Sequence, residues 1–149
     1  MIHGAELIRL KAHVDDRGYL IEILRNVDPH FQQFGQVYLV GDLTKGTIKA
    51  WHKHRRMWEW FFVSHGSVKF ALYDDREDSL TYKEINTVVL GERNPGLLAV
   101  PPGVFHGHMA LTDDVQLVAV SSEVYNREQP DEVRAPYDSF GYQWEVHWR

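Results

Sequence analysis

Apolar and polar positions along this chain alternate in runs of four to eight residues between clusters of Gly, Pro, Asp and Asn, and little of it reads as a helix. The best strand candidates are Gln36 to Val40, Thr47 to His54, Trp58 to Ser64, Ser67 to Tyr73, Leu97 to Pro101, His106 to Leu111 and Val115 to Ser122. Turns are expected at Asp15 to Gly18, Gly41 to Gly46, Asp74 to Asp78, Gly91 to Gly96 and Pro101 to Gly103. There is no internal repeat, low-complexity tract or linker. Many short, evenly spaced strands predict an all-β sandwich or barrel whose edges are managed by closure.

Side-chain parity sharpens this picture. If Glu59 points inward, Phe61 and Val63 follow it, and Trp58, Trp60 and Phe62 fall on the outer face. Two tryptophans and a phenylalanine in one outer stripe exceed what a small monomer leaves wet, so the pattern predicts a homodimer packed through that sheet. Cover from a second sheet, or from a C-terminal tail bearing Trp144 and Trp148, is the alternative within one chain.

Composition narrows the class. The chain's 149 residues and 44 % hydrophobic content suit one domain, residues 1–149, with a proper core. No run approaches the roughly 20 apolar residues of a membrane span, and the first residues, which include Glu6, lack the apolar core of a signal peptide. A soluble, cytoplasmic protein is expected, with no membrane partner. A formal net charge of -5 disfavours non-specific nucleic-acid binding, while a local basic cluster could still hold one small anion. Without any cysteine, a transition metal would need His and carboxylate ligands.

The chemistry concentrates in Gly46-Thr-Ile-Lys49-Ala-Trp-His52-Lys-His54-Arg-Arg-Met-Trp-Glu59, followed by Pro101-Pro-Gly103-Val-Phe-His106. Because a strand repeats its direction every second residue, His52 and His54 share a face, and Arg55 to Met57 can turn the chain to return Glu59 beside them. Four convergent polar groups inside an apolar barrel cost desolvation energy and persist where they are paired, metal-bound or chemically used. The two segments resemble the two-part signature of a cupin, a double-stranded β-helix or jelly-roll barrel.

Over about Asp15 to Asp138 the chain further resembles the dTDP-4-dehydrorhamnose 3,5-epimerases and the related dTDP-4-keto-6-deoxyhexose 3,4-ketoisomerases, cupin-fold enzymes of nucleotide-sugar and polysaccharide biosynthesis. The resemblance is carried by Asp16-Arg17-Gly18 with Glu22, Phe34-Gly-Gln36, the Gly46 to His52 segment, Tyr73-Asp-Asp-Arg76 with Ser79 and Thr81, Leu98 to Gly103, His106-Gly107, and Leu111-Thr-Asp113. It implies a nucleotide-sugar substrate and no cofactor. It further implies Arg17 and Lys49 on the diphosphate, Glu22, Gln36 and His106 as further substrate contacts, and His52 as the base. Asp138, in Arg134-Ala-Pro-Tyr-Asp138-Ser, is similar to a terminal aspartate that orients that base.

Two positions depart from the epimerases: Glu59 stands where they carry an enolate-stabilising lysine, and the position of their catalytic tyrosine falls near Ala119. An ionised carboxylate cannot stabilise an enolate by itself. The His-x-His pair and the missing tyrosine resemble the ketoisomerases instead. In the implied reaction His52 removes a proton alpha to a ketone, Asp138 holds its tautomer, and protonated His54, Tyr38 or a divalent metal stabilises the enolate.

Two other classes stand beside the isomerase. One is a metal-dependent cupin, a dioxygenase or isomerase, with Mn, Fe, Ni or Zn on His52, His54, Glu59 and His106 in the spacing His-x-His-x4-Glu. The other is a sugar-binding cupin without catalysis. His65 and His108 are expected to be structural or peripheral, and His3, His13, His30 and His147 to lie at the surface.

Overall fold

A computed structural model describes residues 1–146; His147 and Trp148, both named above, lie outside the described residues. The alternating runs form strands at all seven expected places: β4 (Gln36–Asp42), β5 (Ile48–Lys53), β6 (Glu59–His65), β7 (Ser67–Asp74), β9 (Gly96–Val100), β10 (Val104–Ala110) and β11 (Val115–Ser121). Five further strands escaped the pattern: β1 (Glu6–Arg9), β2 (Ala12–Asp15), β3 (Gly18–Ile21), β8 (Ile85–Gly91) and β12 (Val133–Arg134). All but β8 are four residues or fewer, too short for alternation to register, and β8 is an edge strand of mixed pattern.

Two five-stranded antiparallel sheets face each other, in the orders β1-β9-β6-β11-β4 and β12-β5-β10-β7-β8, and β2-β3 forms a separate hairpin. This is the expected all-β jelly roll. Its interior is filled from the inward parities, including Phe61, Val63, Phe70, Leu72, Leu98, Leu117 and Ala119. A loop after β7 is knotted around Asp74, whose buried carboxylate receives bonds from Arg76, Ser79 and Thr81 that outweigh burial and hold it far below the usual carboxylate range.

The parity of β6 is as expected, but what covers its outer face is not a second copy. Trp60 and Phe62 are buried by Ile8, Leu10, Ile23 and Leu24 of the same chain. Phe31 stacks on Trp60 at 6.0 Å, and the Trp60 indole N–H donates to the His30 carbonyl at 3.1 Å. His30, expected at the surface, is therefore largely enclosed, its side chain only 10 % exposed. The tail carrying Trp144 covers the other sheet, where Phe140, Tyr142 and Trp144 pack around Trp51. The aromatic stripe thus gives no ground for a dimer, because local apolar runs cannot tell a partner's surface from the chain's own N-terminal segment.

One irregularity positions the functional groups. Between His106 and His108 of β10, the partner strand β5 advances three residues, from His52 to Lys49, instead of two. This bulge turns both Ala50 and Trp51 outward and returns Lys49 to the inner face with His52. Gly107 permits the close approach: a Cβ there would lie 2.4 Å from Ala50 Cβ.

Candidate active site

Glu59 opens β6 with its side chain only 2 % exposed, and four side chains converge on it. His106 Nε2 lies 2.7 Å from Oε2, His54 Nε2 3.2 Å and His52 Nε2 3.6 Å, while the Tyr38 hydroxyl donates to Oε1 at 2.7 Å. The partners come from β4, β5, β10 and the residue after β5, so the site is assembled across both sheets. Burial pushes the Glu59 carboxyl up, yet the bond from His106 and the close approach of His54 and His52 outweigh it and hold Glu59 well below the usual carboxylate range. The carboxylate is ionised.

The three imidazoles then differ in kind. Burial pulls His54 down, but Glu59 and the Asp131 carbonyl leave it above the ordinary histidine value. Its Nδ1 faces the Asp131 carbonyl and its Nε2 faces Glu59, two acceptors, so both nitrogens donate and His54 is the cation of the cluster. The Asp131 carboxylate fixes this geometry by accepting the backbone N–H groups of Arg55, Arg56 and Met57 at 2.9–3.1 Å. His106 is fully enclosed, and burial leaves it below the ordinary value. A neutral His106 ring cannot donate to both the Val104 carbonyl at 3.1 Å and Glu59 at 2.7 Å; the shorter, charge-assisted bond keeps the proton on Nε2. His52, at 3.6 Å, is beyond hydrogen-bond distance of Glu59, and its side chain is 27 % exposed. It is the imidazole left open toward a ligand. Burial first, and the nearby Glu59 charge second, push the Tyr38 phenol far up, so it stays a donor.

Two adjoining recesses, about 520 Å³ and 410 Å³, share Tyr38, His52, Glu132 and Arg134. The larger runs into the barrel past Phe61 and Phe70 to Lys49 and His108; the smaller holds Gln36, His54, Glu59 and Ser121. Glu132 and Arg134 escaped the sequence pattern as site residues. They arrive because the two-residue strand β12 pairs with β5, setting Arg134 opposite His52, and no local pattern announces so short a pairing.

Of the residues assigned from sequence, His52, His54, Tyr38, Gln36, Lys49, His106 and Glu59 share this cavity. Three do not. Asp138 is exposed ahead of a 3-10 turn and makes no hydrogen bond or ion pair with His52 among the described residues. The carboxylate beside His52 is Glu59, brought by the next strand rather than by the terminal segment. Arg17 stands on the tip of the β2-β3 hairpin, its side chain 86 % exposed and paired with Asp15, and Glu22 lines a separate surface recess. Ala119, where a tyrosine was missed, is buried, and its cross-strand neighbour is Tyr38. Paired residues share a face, so a phenol reaches the same region from the adjacent strand.

The family model for dTDP-4-dehydrorhamnose 3,5-epimerase matches residues 1–148. The chain is 36 % identical to the spore coat polysaccharide biosynthesis protein SpsL of Bacillus subtilis, over the full length of both. It is 34 % identical to a probable low-salt glycan biosynthesis epimerase of Haloferax volcanii, covering 92 % of this chain and 89 % of the relative. Among solved structures, a dTDP sugar isomerase from Desulfovibrio desulfuricans G20 superposes with a TM-score of 0.86 at 33 % identity, covering 96 % of this chain and 92 % of the other. These matches favour an isomerase over the metal-dependent alternative. The donor atoms of His52, His54 and Glu59 lie within 4.8 Å of one another, a spacing that could also hold a metal ion.

Proposed function

Because the chain belongs to the dTDP-4-dehydrorhamnose 3,5-epimerase family of isomerases, we propose that it acts on a dTDP-4-keto-6-deoxyhexose without a cofactor, with His52 removing the proton alpha to the ketone. The observation that carries this reading is the division of labour around Glu59: two imidazoles bound to the carboxylate, and His52 in the same cluster but free. As His52 takes the proton, the C–H electron pair forms the carbon–carbon double bond of an enolate, and the ketone oxygen gains the charge. Glu59 settles the His52 imidazolium that results. The lysine of the 3,5-epimerases is replaced by the Tyr38 hydroxyl, which turns from Glu59 to the enolate oxygen, with the positive charge of His54 beside it. Lys49 and Arg134 are the cations lining the cavity that suit the diphosphate, and Gln36 faces the sugar end. Arg134 is exposed enough to exchange its Glu132 partner for phosphate, and the partly exposed Lys49 has a further N–H to offer while it stays beside Asp42.

Incubation with dTDP-4-keto-6-deoxyglucose in deuterated buffer tests the assignment. Deuterium is expected at the carbon alpha to the ketone, with conversion to an isomer. Neither incorporation nor product, with this and other 4-keto nucleotide sugars, would remove the isomerase reading for this site.

The homodimer expected through the sheet of β6 is proposed on a different part of the same sheet, at its β4 edge. The edge strand β4 exposes Val37 and Leu39 at 56 % and 62 %, in register with the half-buried Val120 and Val118 of β11. Val37 and Leu39 extend this outer face beyond the covered Trp60 cluster, and their exposure suits a second copy of the chain. Light scattering after gel filtration is expected to give twice the chain mass for the parent and a single chain mass for Leu39→Glu; an unchanged mass in the variant would exclude this surface.

A further inference from the structure

A second histidine–carboxylate pair lies in the barrel and has no part in the chemistry above. His108, on the inner face of β10, is buried, and its Nε2 is 2.8 Å from Asp42 Oδ2 on β4. Asp42 is wholly enclosed; its other oxygen lies 2.7 Å from Lys49 Nζ without a well-aligned hydrogen bond, and Lys49 donates instead to the Gly41 carbonyl at 2.8 Å. Burial pushes the Asp42 carboxyl up, but His108 and Lys49 outweigh it and keep the group ionised. An ionised acceptor at Nε2 requires the Nε2–H form of His108 and leaves Nδ1 as its second, exchangeable position.

The location matters as much as the pairing. His108 lines the same cavity as His52. His52 is the cross-strand partner of His106, so His108 lies two residues farther along β10, about 7 Å along the strand. That is the scale of one sugar ring. Isomerisation alpha to a ketone needs a proton removed and a proton returned, and a change at the opposite face or neighbouring carbon needs a second group. The tyrosine that serves this purpose in the epimerases is Ala119 here, and Tyr38 is engaged at the Glu59 end.

We propose that His108, oriented by Asp42, is the second proton-transfer residue of this cavity and returns a proton to the enolate from the end opposite Glu59. The inference rests on the isomerase reading. In the step, the Nδ1–H bond of the His108 imidazolium breaks and a C–H bond forms on the enolate; the double-bond electrons supply that bond and the ketone is restored. His108 is left neutral with Nε2–H on Asp42, and solvent returns its proton while taking the one held by His52.

The test separates the two halves of the reaction. His108→Asn is expected to lower product formation about 100-fold, while exchange of the substrate's alpha hydrogen with deuterated solvent stays within about threefold of the parent. Asp42→Asn should show the same split, with dTDP affinity for His108→Asn and a thermal melt for both variants reporting an intact fold. Unchanged turnover in a variant that binds dTDP like the parent would overturn the proposal, as would equal losses of exchange and turnover. Absence of exchange in the parent would overturn the isomerase reading itself, a distinguishable failure.

Discussion

Replacing His52 by Asn is expected to lower turnover about 1000-fold and to abolish exchange of the substrate's alpha hydrogen, while dTDP binding changes only severalfold. The reasoning is geometric. His54 and His106 each have a nitrogen bound to Glu59, and only His52 stands open in the cavity. Asparagine keeps a polar group of similar reach but cannot accept the proton. The companion result is equally informative: Asp138→Asn, on an exposed residue without a bond to His52, should leave turnover within about twofold, the range of ordinary surface substitutions. Steady-state kinetics with deuterium exchange measures both. A His52→Asn enzyme that still exchanged at the parental rate would show that another group removes the proton.

Glu59→Gln should be the most disruptive change to the site as a whole. The carboxylate balances the His54 charge, receives the His106 proton and anchors Tyr38, and an amide of the same size can accept on one side only. Removing one partner of a buried charge cluster costs about 3 kcal/mol or more. The pH dependence of that cost has a definite sign. Glu59 sits below its unfolded value, so its contribution is present above the unfolded carboxylate value and fades as pH falls through the folded one. His54 sits above its unfolded value, so its contribution is complete below the unfolded histidine value and fades as pH rises through the folded one. The stability difference between parent and variant should therefore peak at about pH 4.5 to 6.5 and shrink above neutrality. Denaturant melts across that range check it, and turnover should fall with loss of the His54 cation. A difference that grew steadily into alkaline pH would show that Glu59 does not hold His54 in its protonated form.

The two predictions draw on parts of the molecule that differ in how far sequence could reveal them. Period-two alternation brought out seven of the eight strands longer than four residues, and the same parity put Glu59, Phe61 and Val63 inside and His52 with His54 on one face. Those relations are local. They follow from the direction a strand gives each side chain, and the order of motifs pointed to the family that the comparisons support.

Relations across the barrel lay beyond that reach. Asp138 resembled the partner of His52, but orientation of the terminal segment depends on where Trp51 and the C-terminal aromatics pack, and they carry that segment over the outer face of the second sheet. Arg17 matched a motif, yet its hairpin projects into solvent in the single chain. Lys49 reached the cavity only through the bulge opposite Gly107, which strict parity from His52 would have contradicted. The covering of Trp60 by residues 8–31, the meeting of His108 with Asp42, and the placing of Arg134 beside His52 were likewise decided by tertiary structure. What the sequence determined by itself was strand, face and family, because each is written within a few consecutive residues; which charges meet was decided by sheet pairing and closure, which join residues as far apart as Glu6 and Ala99.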